Sequence, residues 1–282
     1  MPQITIRNAH INYEILGNSG PWVALSPGGR RPLEGVKHLA ERVAAKGYRV
    51  LIFDRRNCGA SDVVFEGTPD APTEYEIWAE DLYAMLKHFN ATPAWVGGGS
   101  SGCRMSMLLA MKHPDAVKGL LLWRVTGGEF AAKRLANQYY FQFIKAAKEG
   151  GMAAVCASEH FAERVQQRAV NRDAILKMDV SRFIASFEKW AQGFLDDAGK
   201  PVIGATEAQL NALKIPTLVV PGNDKTHDRA IGTRAQKCIP NSELYVLFPK
   251  DEDIDIVPPK EWEFKDDELA GVFDSFIRRH SA

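Results

Sequence analysis

Short apolar runs alternate with amphipathic stretches along most of this chain. The runs at 22–25, 48–54, 119–125 and 215–222 are apolar, too short for helices and flanked by turn residues, which predicts strands buried on both faces of a parallel sheet. Between them the spacing turns helical. Leu33, Val36, Leu39, Ala40 and Val43 predict a helix from Pro32 to about Lys46, and Ile77, Leu82, Met85, Leu86 and Phe89 predict another over 74–90. Residues 3–16 read as two short strands around a turn. Toward the C-terminus a capping box, Thr206-Glu-Ala-Gln209, opens a short helix. A helix over 230–239, a strand over 243–248 and a last helix over 266–279, with Leu269, Val272, Phe273 and Phe276 inward, complete the pattern.

The stretch 127–204 breaks this rhythm. It holds no convincing strand, only helical segments separated by Gly150-Gly151 and by Asn171-Arg-Asp173. Phe183, Phe187, Trp190 and Phe194 step by four, three and four residues, which makes one helical face; plain helix packing explains most such rings. The expectation is an α/β core domain, 1–126 and 205–282, with a helical cap inserted at 127–204. Ligands on such sheets bind beyond the carboxyl ends of the strands, and part of an aromatic cap face would roof that pocket.

Composition narrows the function classes. Among 282 residues, 35 basic side chains balance 35 acidic ones, so neither a nucleic-acid footprint nor a polybasic membrane surface is expected. No apolar run approaches the roughly 18 residues of a membrane span, and the N-terminus lacks a signal-peptide pattern. Cys58, Cys103, Cys156 and Cys238 are scattered, without metal-type or disulfide spacing. The expectation is a cytoplasmic protein with reduced thiols, no metal, no cofactor and a small-molecule substrate; a homodimer stays open.

The chemistry gathers around Gly98-Gly99-Ser100-Ser101-Gly102, which satisfies G-x-S-x-G, a strand-to-helix turn that holds a serine hydroxyl above the sheet at a helix N-terminus. With three further motifs the chain resembles the α/β-hydrolase superfamily of the capped type over nearly its whole length. Ser26-Pro-Gly-Gly-Arg30 stands where that family has His-Gly. Asp54-Arg-Arg-Asn-Cys-Gly-Ala-Ser-Asp62 resembles its Asp-x-Arg-Gly-x-Gly-x-Ser loop, and Val219-Val-Pro-Gly-Asn-Asp224 its acid-bearing turn. The resemblance implies a mostly parallel α/β-hydrolase sheet, Ser100 as nucleophile, Asp224 as acid, and the N–H groups of Ser101 and Gly29 (or Arg30) as oxyanion donors. Arg30, Arg31 and Arg104 could meet an acidic group on a substrate, although a solvated Arg30–Arg31 pair explains those two equally well. Trp123, Tyr139 and Trp190 are candidate apolar walls.

One part of the pattern is missing. The family's base is a histidine after the last strand, and the loop 248–257 has none. Of the seven histidines, His10, His38, His88, His113 and His280 fall on surface or structural positions. His227, three residues after Asp224, and His160, in the cap, stay as candidates, beside a carboxylate from Asp251, Glu252 or Asp253 whose pKa burial would raise. Three functions compete. One is a serine hydrolase of an ester, a lactone or a carbon–carbon bond in a diketone. The others are a cofactor-free lyase, isomerase or decarboxylase, and a ligand-binding protein without catalysis.

Overall fold

A computed structural model describes residues 2–65 and 72–281. Its strands are β1 (Gln3–Ile6), β2 (Ala9–Leu16), β3 (Trp22–Ser26), β4 (Arg49–Phe53), β5 (Ala94–Gly99), β6 (Val117–Trp123), β7 (Thr217–Val220) and β8 (Ser242–Leu244). They form one sheet in the order β1-β2-β4-β3-β5-β6-β7-β8. β1 and β2 pair antiparallel with each other, as do β2 and β4, and every later pairing is parallel. The apolar runs make this possible because alternate side chains feed two cores. Val23, Leu25, Val50, Ile52, Leu121 and Trp123 face one side, where α1 (Glu34–Ala44) and α12 (Asp266–Arg279) pack. Ala24, Leu51, Val96, Leu120 and Leu122 face the other, where α2 (Glu74–His88) and α3 (Ser101–Lys112) pack.

Between β6 and β7 the chain is helical: α4 (Gly128–Ala136), a π-helical turn over 137–141, α5 (Gln142–Ala157), α6 (Glu159–Gln167), α7 (Val170–Leu176) and α8 (Val180–Asp196). Gly150 and Gly151 do break a helix, bending α5 at φ −146° and +62°. Asn171-Arg-Asp173 does not separate segments; it lies inside α7. The buried Asn171 amide explains its place there, accepting from the Val63 N–H and donating to the carbonyls of Ser61 and Arg164. With Arg164 Nη2 on the Arg30 carbonyl, it fastens these helices to the loops above the sheet.

Two boundaries differ in the last third. The strand expected over 243–248 is only three residues long, because β8 is an edge strand that pairs with β7 alone. The capping box at Thr206 and Gln209 is present and opens α9 (Glu207–Ala212). α10 (Arg229–Cys238) and a short α11 (Pro259–Glu263) complete the chain. Among the described residues, no helix is long and apolar enough to cross a membrane.

Candidate active site

Ser100 stands at the junction of β5 and α3 with φ 53° and ψ −108°, a backbone conformation that a non-glycine residue holds only when its surroundings enforce it. Close approach of strand and helix does so: a Cβ on Gly98 would lie 2.5 Å from the Gly102 backbone. The Ser100 hydroxyl therefore stands at the N-terminus of α3, and the Ser101 N–H, in the first turn of that helix, has no acceptor among the described residues.

Asp224 and His227 come from one turn after β7. His227 Nε2 is 3.0 Å from Ser100 Oγ, and its Nδ1 is 2.8 and 3.1 Å from the two carboxylate oxygens of Asp224. A carboxylate only accepts, so Nδ1 carries the proton and Nε2 presents its lone pair to the serine. Asp224 Oδ1 also accepts from the His227 backbone N–H at 2.7 Å, so one carboxylate closes the turn and orients the ring it carries. Such a turn needs room, and a Cβ on Gly222 would lie 2.2 Å from His227 Cβ.

The loop where the family places its histidine braces the acid. The Val257 N–H donates to Asp224 Oδ2 at 2.9 Å, and Lys225 and Thr226 bond through backbone N–H groups to the carbonyls of Ile254 and Asp255. Asp251 pairs with Arg229 and Asp253 with Lys225, both away from Ser100, and the Glu252 N–H bonds the Asn223 carbonyl. His160 lies among Phe143 and Phe161 and is absent from the cavity wall; burial and the charges of Arg30 and Arg164 push it well below the ordinary histidine value.

Arg124 is the participant the motifs did not indicate. It follows β6 at φ 56°, and its Nη2 donates to Asp224 Oδ2 and to the Val257 carbonyl, both at 2.9 Å. The same nitrogen is 3.3 Å from His227 Nδ1, a donor-to-donor contact that acts through charge. Burial and this cation lower the His227 pKa to about 4. Although burial opposes it, the bonds and charge from His227, the Val257 N–H and Arg124 hold the Asp224 carboxyl well below the usual carboxylate range. At neutral pH the pair is a carboxylate beside an uncharged imidazole.

These side chains open into a cavity of about 250 Å³ bounded by Gly28, Gly29, Arg30, Arg31, Trp123, Leu135, Tyr139 and Trp262 among others. Gly29, at φ 59°, is pinned through its carbonyl, which accepts from Ser101 Oγ at 2.8 Å and from Arg55 Nη2 at 2.7 Å. Its N–H has no acceptor among the described residues. Arg30 reaches the cavity but is held by Glu74 at 2.7 Å.

Two expected wall residues lie elsewhere. Arg104, on α3, bonds the Ile203 carbonyl and Thr126 Oγ1 and lies over the rings of Tyr75 and Phe194. Trp190 is packed among Tyr140, Phe187 and Phe65, because the aromatic stripe of α8 faces its own neighbours. Neither borders the cavity. Among the described residues, no group of three or more His, Cys, Asp or Glu side chains is placed to hold a metal ion.

Comparison with known proteins agrees with this architecture. An uncharacterized hydrolase of Bacillus subtilis is 30% identical over 116 residues; that match spans 40% of this chain and 40% of the relative. Solved structures align over nearly the full length. An esterase from Thermogutta terrifontis is 20% identical with a TM-score of 0.65, covering 100% of this chain and 99% of its own. An enol-lactonase from Burkholderia xenovorans is 20% identical with a TM-score of 0.60, covering 99% of each chain. A meta-cleavage product hydrolase from Pseudomonas fluorescens is 14% identical with a TM-score of 0.66, covering 99% of this chain and 98% of its own. At these identities the structural likeness concerns the fold. The family described as alpha/beta hydrolase fold matches residues 27–252, and the chain belongs to that family.

Proposed function

We propose that this protein is a serine-dependent hydrolase of a small carbonyl compound, an ester or lactone first, with Ser100, His227 and Asp224 as its triad and residues 127–204 as the cap over its pocket. The observation that carries the reading is the unbroken chain of contacts from Asp224 through His227 to Ser100 Oγ, at 2.8 and 3.0 Å. A serine hydroxyl is a weak nucleophile until a neighbour takes its proton. Here that proton passes to His227 Nε2 as Oγ bonds to the substrate carbonyl carbon. The carbonyl oxygen becomes an oxyanion held by the N–H groups of Ser101 and Gly29. The imidazolium, balanced by the Asp224 carboxylate, returns the proton to the leaving group as the acyl bond breaks. A water, deprotonated by the same nitrogen, then releases the acid and restores Ser100.

The lyase reading drew its support from a missing base, and the His227 geometry takes that support away. A cavity of about 250 Å³ suits a small substrate better than a long acyl chain. Relatives with this fold include proteins named esterase, enol-lactonase and meta-cleavage product hydrolase, in keeping with carbonyl hydrolysis. The test is a small fluorophosphonate followed by intact mass. The wild type is expected to gain one adduct and Ser100→Ala none; an unmodified wild type would sink the proposal.

A further inference from the structure

Three arginines border the cavity beside Ser100, and two of them are neutralised. Arg30 is paired with Glu74 at 2.7 Å and Arg124 with Asp224 at 2.9 Å. Arg31 is different. Its side chain makes one bond, Nε to the Gly28 carbonyl at 3.3 Å, and no carboxylate among the described residues lies within ion-pair distance. The nearby Arg55 is occupied by Ser101 Oγ and the Gly29 carbonyl. Burial lowers the Arg31 pKa from its ordinary value and Arg55 adds repulsion, outweighing the opposing pull of Tyr139 and of the more distant Glu263.

Its position is close to the reacting hydroxyl. A methyl built on Gly28 would lie 3.2 Å from Ser100 Cβ and 3.5 Å from Arg31 Nη2, so both atoms flank the same glycine. We propose that Arg31 is the recognition site for a carboxylate on the substrate, so that the preferred substrates are monoesters or lactones bearing one free acid group a few bonds from the scissile carbonyl. This deepens the serine-hydrolase reading and rests on it for the word substrate; the anion site itself does not.

The chemistry favours a single carboxylate over a phosphate. One guanidinium presents a planar pair of donors that matches one carboxylate. The same cavity is bordered by the exposed Glu34 and Glu263 and by Asp266, which is paired with His38; these would repel a dianion more than a monoanion. Trp123, Leu135 and Tyr139 give the short carbon chain an apolar wall.

The experiment uses Ser100→Ala, which cannot turn over, and measures calorimetric affinity for monomethyl glutarate against dimethyl glutarate at pH 7. The acid ester is expected to bind at least about 10-fold more tightly, since a charge pair with the half-buried Arg31 outweighs the neutral contact it replaces. Adding Arg31→Met should bring the ratio to about one, and Arg31→Lys, which keeps the charge and loses the fork, to an intermediate value. Melting curves establish that each variant is folded. Equal affinity for the two esters, binding of neither, or a preference that survives Arg31→Met would overturn the proposal. A fluorophosphonate assay on the wild type keeps the two readings apart: an acid-ester preference without an adduct supports the carboxylate site and refutes the nucleophile.

Discussion

The turn after β7 and the loop after β8 lie side by side, and they contribute to the site in opposite ways. In residues 223–227 every side chain but that of Lys225 turns inward, leaving Asp224 and His227 only 3% and 2% exposed. In residues 249–257 the acidic side chains turn outward, Asp251 and Asp253 being 62% and 94% exposed. That second loop offers its backbone: the Val257 N–H to Asp224 and the carbonyls of Ile254 and Asp255 to the turn. The difference teaches how the contacts from Asp224 through His227 to Ser100, the relay proposed above, form without a histidine on the last loop. The backbone of that loop braces the turn on which Asp224 and His227 stand three residues apart.

Removing the ring is the largest perturbation of that comparison. His227→Ala should lower kcat/KM by about 10⁴-fold, the scale for loss of a triad member, and slow fluorophosphonate labelling in parallel. An unchanged labelling rate would mean that another group takes the proton. Gly222→Ala comes next. A methyl 2.2 Å from His227 Cβ has nowhere to go, so the ring shifts from Ser100 and activity falls by about 100-fold, as for an ångström of misplacement. The same overpacking should cost about 1–3 kcal/mol of stability by urea titration. Full activity would show that the turn yields freely.

How much of this was legible in the sequence follows from where each signal resides. Strand, turn and capping chemistry are local, so the sheet, the elbow at Ser100 and the helices between β6 and β7 could be read from spacing. The meeting of Ser100, His227 and Asp224 was only half legible: His227 stood near Asp224, but the backbone brace from 252–257 that holds it is a tertiary fact. Arg104 and Trp190 were misplaced for the same reason, because which face of α3 or α8 meets a cavity depends on what packs beside it. Arg124 left one faint trace, a charged residue inside the apolar run 119–125. Its φ of 56° and its bond to Asp224 are invisible before folding.

Arg124 also offers a way to sharpen the comparison through pH. A histidine base works deprotonated, so kcat/KM is level above its pKa and declines below it. With His227 lowered to about 4 by burial and the Arg124 charge, the acid limb should lie near pH 4 and not near the ordinary value of about 6.5. Arg124→Met removes the repelling charge, so the limb should move upward, with the plateau about 10-fold lower as Asp224 loses an orienting donor. A limb that stays in place would show that burial alone sets it.

The smallest effect is expected at the carboxylates that an acidic base would require. Asp251 and Asp253 form ion pairs with Arg229 and Lys225 on the surface, and exposed pairs of this kind contribute about 0–1 kcal/mol. Both side chains are mostly exposed, and the Lys225 partner lowers the Asp253 pKa from its ordinary value. Neutralising them therefore changes surface charge and nothing in the relay. Asp251→Asn and Asp253→Asn should each keep kcat/KM within about 2-fold of the parent, in line with surface substitutions generally. Collapse of activity in either would move the base to the loop after β8, and with it the division of labour between the two loops.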